Sequence, residues 1–598
     1  MGLINSLRTR FQGLTDAILR FPLSILLFLA TAVMNAVVIS TRDFEDYTRL
    51  IWTFLVGAAL SAAAQMAYEH FYRRKTSRLI TLAGSAVITL AYFLLIRKSE
   101  MATVVSVRTM VLLFLLLVAF LWLPTIRSSI DFNVSFLEAF KAFWITGFFT
   151  GVLFLGLALI LSAINLLLVS ISTSAYTHTA NIVFVLLAPL YFLSLIPKYP
   201  AAGEAEEGAA PEQTQEIPQE TRKGGTGDIP GFLSNLLTYV IIPVTAVFTL
   251  ILLIYILLNI TEEFWTDNLL EPLLVSYSIT VITVYLLVSR LNSPMAAAFR
   301  KVFPKILLPV VLFQTISSCL KIGAEGITYG RYYVILFGLF ATVASLLFSF
   351  LPVRKNGLIA PILILLALLS IVPPIDAFTV SRKSQTDRLK SILTEKGMLS
   401  GHRITPNPDL SDKEKQRIVS SIEYLDWMQY TDEISWLEDY SSSRDFQQTF
   451  GFPRYGNTRA EYRSLYLYLN PEHMIGITGY DYLHSIHLSD RGDIRREAAF
   501  RKKEVNYYLD YERSGEITYL LLKEEETELL RLSFNDILNQ FNTGRTDSFS
   551  DEITEEQARF TVESDRAILT LTIRTINIDY WQEESSWYSD AYLLIRIK

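Results

Sequence analysis

The chain of 598 residues contains one cysteine, Cys319, and six histidines. A single cysteine rules out an internal disulfide framework and a cysteine-based zinc site. Charge is also scarce in the first 377 residues, which hold 21 acidic and 25 basic side chains. No Asp, Glu or His falls at the middle of any long apolar run. Ion-coupled transport usually depends on such groups, because a charge at the bilayer centre is costly and persists only for function. The C-terminal part lacks the nucleophile elbow, the His-Glu-x-x-His motif and the phosphate loop. These absences weigh against the motif-bearing enzyme classes, and the expectation is no cofactor, no metal and no assigned catalytic residue.

What the first part does contain is apolar runs of membrane-spanning length. Eleven are expected, near 22–40, 49–68, 78–96, 104–123, 143–169, 180–196, 233–259, 269–289, 304–321, 332–351 and 357–375. Before them, residues 3–21 place Leu7, Phe11, Leu14, Ile18 and Phe21 on one helical face, as an interfacial helix would. The connections on the N-terminal side carry 18 Lys and Arg; those on the other side carry seven. That asymmetry predicts a cytoplasmic N-terminus, and eleven spans then place the C-terminus outside. Arg108 and Glu271 lie near span ends, where reaching to water is the simple expectation. Pro189, Pro243, Pro309 and Pro361 are candidates for helix breaks at a midplane site. Ala139–Phe143 and Ala298–Phe303 each close an amphipathic stretch, and each is a candidate for an in-plane helix between spans.

Composition divides the chain into five parts: an amphipathic helix at 1–21, spans at 22–196, a linker at 197–231, spans at 232–377 and a soluble domain at 378–598. The linker is rich in Pro, Gly and Glu, too polar for a core, and is expected to be disordered and cytoplasmic. The soluble domain holds 38 acidic and 28 basic residues, a net charge of −10, so nucleic acid is not an expected partner. Helical patterns over Ser384–Met398 and after Ser411 come first. Alternating runs follow at Tyr462–Leu469, Met474–Leu488, Val505–Tyr511, Ile517–Lys523, Ala567–Tyr580 and Tyr592–Ile597, with a short helix at Asn535–Phe541. The expected fold is therefore a polytopic α-helical membrane protein followed by an α+β domain with a mostly antiparallel sheet.

His484 and His487 sit three apart, which on a strand sends them to opposite faces and prevents them sharing a metal. Neither His473 nor Asp481 completes a known ligand spacing. The domain is dense in Tyr and Trp, among them Tyr424, Trp427, Tyr430, Trp436, Tyr440 and Trp587. Exposed, they would stack on glycans; strand and core positions are the expected role.

At Gly326-Ile327-Thr328, Arg331-Tyr332-Tyr333 and Ser384-Gln385-x-x-Arg388-Leu389 the sequence resembles a bacterial multi-pass membrane family, domain of unknown function 4153. The resemblance is expected to extend over nearly the whole chain after the N-terminal helix. It implies a bacterial setting and this architecture, and it implies no activity. Arg331, Tyr332, Tyr333, Ser384, Gln385 and Arg388 are thereby marked as family positions of unknown role. Arg331 suits an interface anchor, an anionic lipid head or a carboxylate of the part that follows, Asp387 being the nearest candidate carboxylate. Three functions remain: an anchored extracytoplasmic binding, sensing or assembly domain, which is favoured; a transporter or lipid-handling protein; and an envelope enzyme using carboxylates. Expected partners are the lipid bilayer and an envelope component, a glycan or another membrane protein.

Overall fold

The computed structural model describes residues 13–41, 45–72, 74–97, 102–169, 171–200, 227, 229–259, 270–437, 440, 446–454, 462–470, 474–489, 495–514, 517–541, 549–581 and 584–598. The chain forms two compact units, one of Met1–Thr405 and Ser420–Ser441, the other of Pro406–Val419 and Ser442–Lys598. The first unit thus takes in residues well past 377.

Among the described residues, ten helices of the first unit are long and apolar enough to cross a membrane. They are α1 Pro22–Thr41, α2 Glu45–Phe71, α3 Lys75–Ile96, α4 Ala102–Trp122, α5 Phe132–Leu167, α6 Thr173–Leu195, α7 Gly231–Leu258, α8 Leu270–Val288, α9 Pro294–Glu325 and α10 Tyr329–Phe350. They form because each run holds about 20 apolar residues, and a backbone in hydrocarbon must satisfy its own hydrogen bonds. Some polar side chains of the body pair between helices: Ser24 with Ser61 at 2.7 Å and Asn35 with Asn181 at 2.9 Å.

The eleventh run forms only an 11-residue helix, α11 Ile359–Leu369, preceded by a six-residue 3-10 turn, Val353–Leu358. At their characteristic rises the two span about 28 Å, close to the hydrocarbon thickness. Their ends are also held at opposite ends of the helical body. Asn356 donates to Asn133 at the start of α5 (2.9 Å). After α11, the Ile375 carbonyl accepts from Tyr332 at the start of α10 (2.7 Å). This segment therefore crosses the body despite its short α-helix.

Two local expectations are corrected. The stretches at Ala139–Phe143 and Ala298–Phe303 are not separate in-plane helices. Each continues unbroken into a spanning helix, α5 of 36 residues and α9 of 32. In α5 nothing between the amphipathic turns and the apolar run stops the helix, so it propagates, and α9 continues through Pro304. The aromatic face is present, with Phe132, Phe136, Phe140 and Trp144 in succession at centroid distances of 6.3, 6.4 and 6.0 Å. The prolines likewise open no helix. Pro189 and Pro243 follow π-helical segments, Asn181–Leu187 and Leu237–Ile241, and Pro309 sits inside α9. A wider turn ahead of a proline accommodates its missing N–H and its bulk. Of the interfacial helix at 3–21, residues 13–20 are helical, while 3–12 lie outside the described residues. So do 201–226 and 228 of the linker.

After α11 comes α12, Ala377–Glu395. It turns Phe378, Ser381, Gln385, Leu389 and Ile392 inward at spacings of three and four. It ends at Gly397, whose φ of +65° suits a helix C-terminus. A two-residue hairpin pairs β1 (Leu399–Ser400) with β2 (Arg403–Ile404). Helix α13, Asp412–Trp427, follows Ser411, whose N–H donates to Glu414 at 2.9 Å.

Among the described residues the second unit carries ten strands: β3 Tyr462–Leu469, β4 Tyr482–Ser489, β5 Arg495–Lys502, β6 Val505–Ser514, β7 Ile517–Glu524, β8 Thr527–Ser533, β9 Phe549–Ile553, β10 Arg559–Glu563, β11 Ala567–Trp581 and β12 Glu584–Ile597. One sheet runs β4-β12-β11-β3-β9, with β10 also on β11. The other is the meander β5-β6-β7-β8. Every pairing is antiparallel except β3 with β9. Strand β11 is central and buried on both faces, with Leu569, Thr570, Leu571 and Thr572 all inaccessible. The run at Met474–Leu488 is strand only from Tyr482.

Candidate functional site

The family positions gather where the chain turns between α9 and α10. The turn begins at Gly326, with φ +74° and ψ 179°, a conformation essentially reserved for glycine. Thr328 then caps α10, its hydroxyl accepting from the Arg331 N–H at 3.3 Å. Three residues of α12, spread over about one helical turn, grip this turn. The Ile327 N–H donates to Ser384 Oγ at 3.0 Å. Gln385 Nε2 donates to the Glu325 carbonyl at 2.9 Å and to the Ile327 carbonyl at 3.3 Å. Arg388 reaches the Glu325 carbonyl at 3.2 Å and the hydroxyls of Ser420 and Ser421 in α13. Backbone groups that a helix end leaves unsatisfied are thus met by side chains of another helix.

Arg331 contributes from the other side. It donates to the Gly326 carbonyl at 2.8 Å and pairs with Glu325 at 2.6 Å. The candidate carboxylate Asp387 is therefore replaced by Glu325, six residues back, since the 325–328 turn folds that carboxylate over the first turn of α10. Asp387 instead lines a separate hollow with Arg382, Thr386 and Trp436. Tyr332 and Tyr333 do not join the clamp. Tyr332 donates to Ile375, and Tyr333 reaches the Ser370 carbonyl at 3.5 Å, which places both against the segment leaving α11.

That segment holds a residue absent from the sequence-based expectations. Asp376 is fully buried and caps α12, accepting from the Phe378 and Thr379 N–H groups at 3.1 and 3.3 Å and from the Thr379 hydroxyl at 2.5 Å. It also pairs with Arg108 of α4 at 2.7 Å. Arg108 therefore does more than reach for water: it holds a carboxylate 268 positions away. Its guanidinium lies 5.4 Å from the Phe378 ring centre as well. The spacing Asp376-x-x-Thr379 ahead of an amphipathic run is a helix-start signal that could have found the aspartate; no local signal points to Arg108 as its partner. Glu271 accepts from Ser318 of α9, so it too is bonded inside the body.

Burial opposes ionisation of Asp376, but hydrogen bonds from Thr379 and Arg108 and the Arg108 charge outweigh it, holding the carboxyl below its ordinary 3.8. A carboxylate with a lowered folded value stabilises fully above its unfolded value and loses that contribution as pH falls through the folded one. Protease cleavage within 377–395 should therefore stay constant from neutral pH to about pH 4 and rise only below it. A rise already complete at pH 5 would contradict this.

Elsewhere, His484 and His487 fall on opposite faces of β4, and His487 bonds Asp590 on β12 at 2.8 Å. His473 lies outside the described residues. Among the described residues, no group of three or more His, Cys, Asp or Glu is placed to hold a metal ion. Tyr430, Tyr440 and Trp587 are buried, while Trp427 is exposed and lies 5.9 Å from Tyr329.

The clamp and Asp376 hold helix ends together. No curated protein and no solved structure matches the chain. A family model, Domain of unknown function (DUF4153), matches residues 25–401. That segment contains the α9–α10 turn and the α12 residues that grip it, and ends at residue 401 inside the short hairpin after α12, so it stops short of the strands of the second unit, where the resemblance was expected to run on. This chain, a multi-pass membrane protein followed by an α+β unit, belongs to the DUF4153 family.

Proposed function

We propose that the protein resides in a bacterial cytoplasmic membrane and anchors an extracytoplasmic domain for binding, sensing or assembly. The observation that carries this is the clamp. Ser384, Gln385 and Arg388 fasten α12 to the α9–α10 turn, and Asp376 fastens its start to α4. A mere tether would need none of these bonds, each worth about 1 kcal/mol net. The first helix after the last crossing is thus built as part of the membrane body. Eleven crossings with 18 basic residues on the N-terminal side and seven on the other support a cytoplasmic N-terminus and an exported C-terminus. The expected partners outside are an envelope component, a glycan or another membrane protein.

Sidedness is the direct test. An alkaline phosphatase fused after Lys598 should be active, and a green fluorescent protein fused there should be dark. A bright fluorescent fusion would place the domain in the cytoplasm and end this reading. Crosslinking of the full chain in cells should then capture an envelope component.

A further inference from the structure

Trp427, the last residue of α13, belongs with residues 420–441 to the first unit and is 60 % exposed. Its ring stacks on Tyr329 with 5.9 Å between centres, and Tyr329 stacks in turn on Phe378 at 5.5 Å. Tyr329 is the first residue of α10. The 22 residues of α10 extend about 33 Å, slightly more than the hydrocarbon thickness, which puts its first residue at the bilayer boundary. The fold thus carries a tryptophan from well past the last crossing to the edge of the membrane.

Trp427 is held at that level from both sides in sequence. Before it, the Tyr424 hydroxyl accepts from the Tyr329 N–H at 2.9 Å. After it, Arg382 of α12 pairs with Glu433 and lies 5.7 Å from the Tyr430 ring centre. Exposed apolar surface continues at the exit from α11, where Val372 and Ile375 are about half exposed. Ile375 is bonded there by Tyr332, one turn along α10 from Tyr329. Glu423 lies one turn before Trp427 on the same face of α13, and a charge is costly in hydrocarbon but tolerated among headgroups.

We propose that Trp427 and the last turn of α13 lie in the headgroup layer of the bilayer, so that the chain touches the membrane surface again after its last crossing. An exposed indole, apolar in its body and with one N–H to satisfy, favours that layer. A lipid surface fits better than a protein partner because the patch runs on from the exposed apolar residues at a span end. The contact holds whichever side of the membrane the second unit occupies, so it stands apart from the reading of sidedness above.

The test uses the full chain reconstituted in phosphatidylcholine vesicles. The Trp427 signal is the fluorescence difference between wild type and Trp427→Phe, which keeps a ring against Tyr329. Lipids brominated on their chains close to the glycerol should quench most of that signal, and lipids brominated near the chain ends should quench less of it. Iodide, which stays in the water, should quench little. Trp587, buried in the core of the second unit and read in the same way through Trp587→Phe, should respond to neither lipid. A Trp427 signal quenched by iodide and untouched by both brominated lipids would overturn the proposal, because the ring would then face water. A signal untouched by all three quenchers would overturn it too, and would show that another protein surface covers the ring. Stronger quenching from the chain ends than from the glycerol end would put the ring in hydrocarbon and overturn the headgroup placement.

Discussion

Asp376→Ala is expected to loosen α12 from the membrane body and raise the rate of proteolytic cleavage within residues 377–395 by about a hundredfold. Asp376 is wholly inaccessible, while its partner Arg108 keeps about a third of its side chain exposed. Breaking a buried ion pair by removing one partner costs about 3–5 kcal/mol, and partial exposure of Arg108 points to the lower end. Loss of the helix cap acts on the same residue and adds to that. About 3 kcal/mol corresponds to some hundredfold in the population of an opened α12. Asp376→Asn keeps an acceptor for the Phe378 and Thr379 amides and should fall well short of alanine. Because Arg108 acts through Asp376, Arg108→Leu added to Asp376→Ala should bring little further loss. If the two changes prove fully additive, the pair is not the unit described here.

Gly326→Ala should be nearly as damaging, lowering the stability of the clamped turn by roughly 3 kcal/mol. A residue with a side chain is strained at φ +74° and ψ 179° whatever space surrounds it. Here the space is also taken, since the new Cβ would fall 2.7 Å from Gln385 Nε2 and 3.3 Å from Arg388 Cδ. Gln385 would have to give up its bonds to the Glu325 and Ile327 carbonyls. Gly323→Ala is the matched control. It sits in α9 with open space at its Cβ, and alanine there should be neutral or slightly stabilising. Adding Gln385→Ala should relieve the clash but not the backbone strain, so the double variant should be less impaired than the two single effects combined. Protease sensitivity of α12 reads all of these. An unchanged Gly326→Ala would show that the turn tolerates another conformation.

Much of the architecture is legible in the residues alone. A run such as 22–40 or 332–351 has one physical outcome in a bilayer, because only a helix satisfies its backbone there. Strand β3 follows its alternating residues at Tyr462–Leu469, and the hairpin of β11 and β12 contains the runs at Ala567–Tyr580 and Tyr592–Ile597. Strands such as β5, Arg495–Lys502, are not legible: three Arg and a Lys in eight residues hide the apolar face that Ala498 and Phe500 turn to the core. The family positions are marked by a resemblance that leaves their role blank.

Run length, periodicity and composition are local quantities. They suffice to place the entries into the membrane, to put a helix after the last crossing, and to make the C-terminal part acidic and rich in strands. Which groups meet is a property of the folded chain. Arg331 takes Glu325 rather than Asp387 because the tight 325–328 turn brings that carboxylate back, and Arg108 takes Asp376 from 268 residues away because helix ends distant in sequence meet in the same body. Local pattern fixes which face of a helix is polar. The partner that face finds depends on how eleven crossings pack, and no window of sequence contains that information.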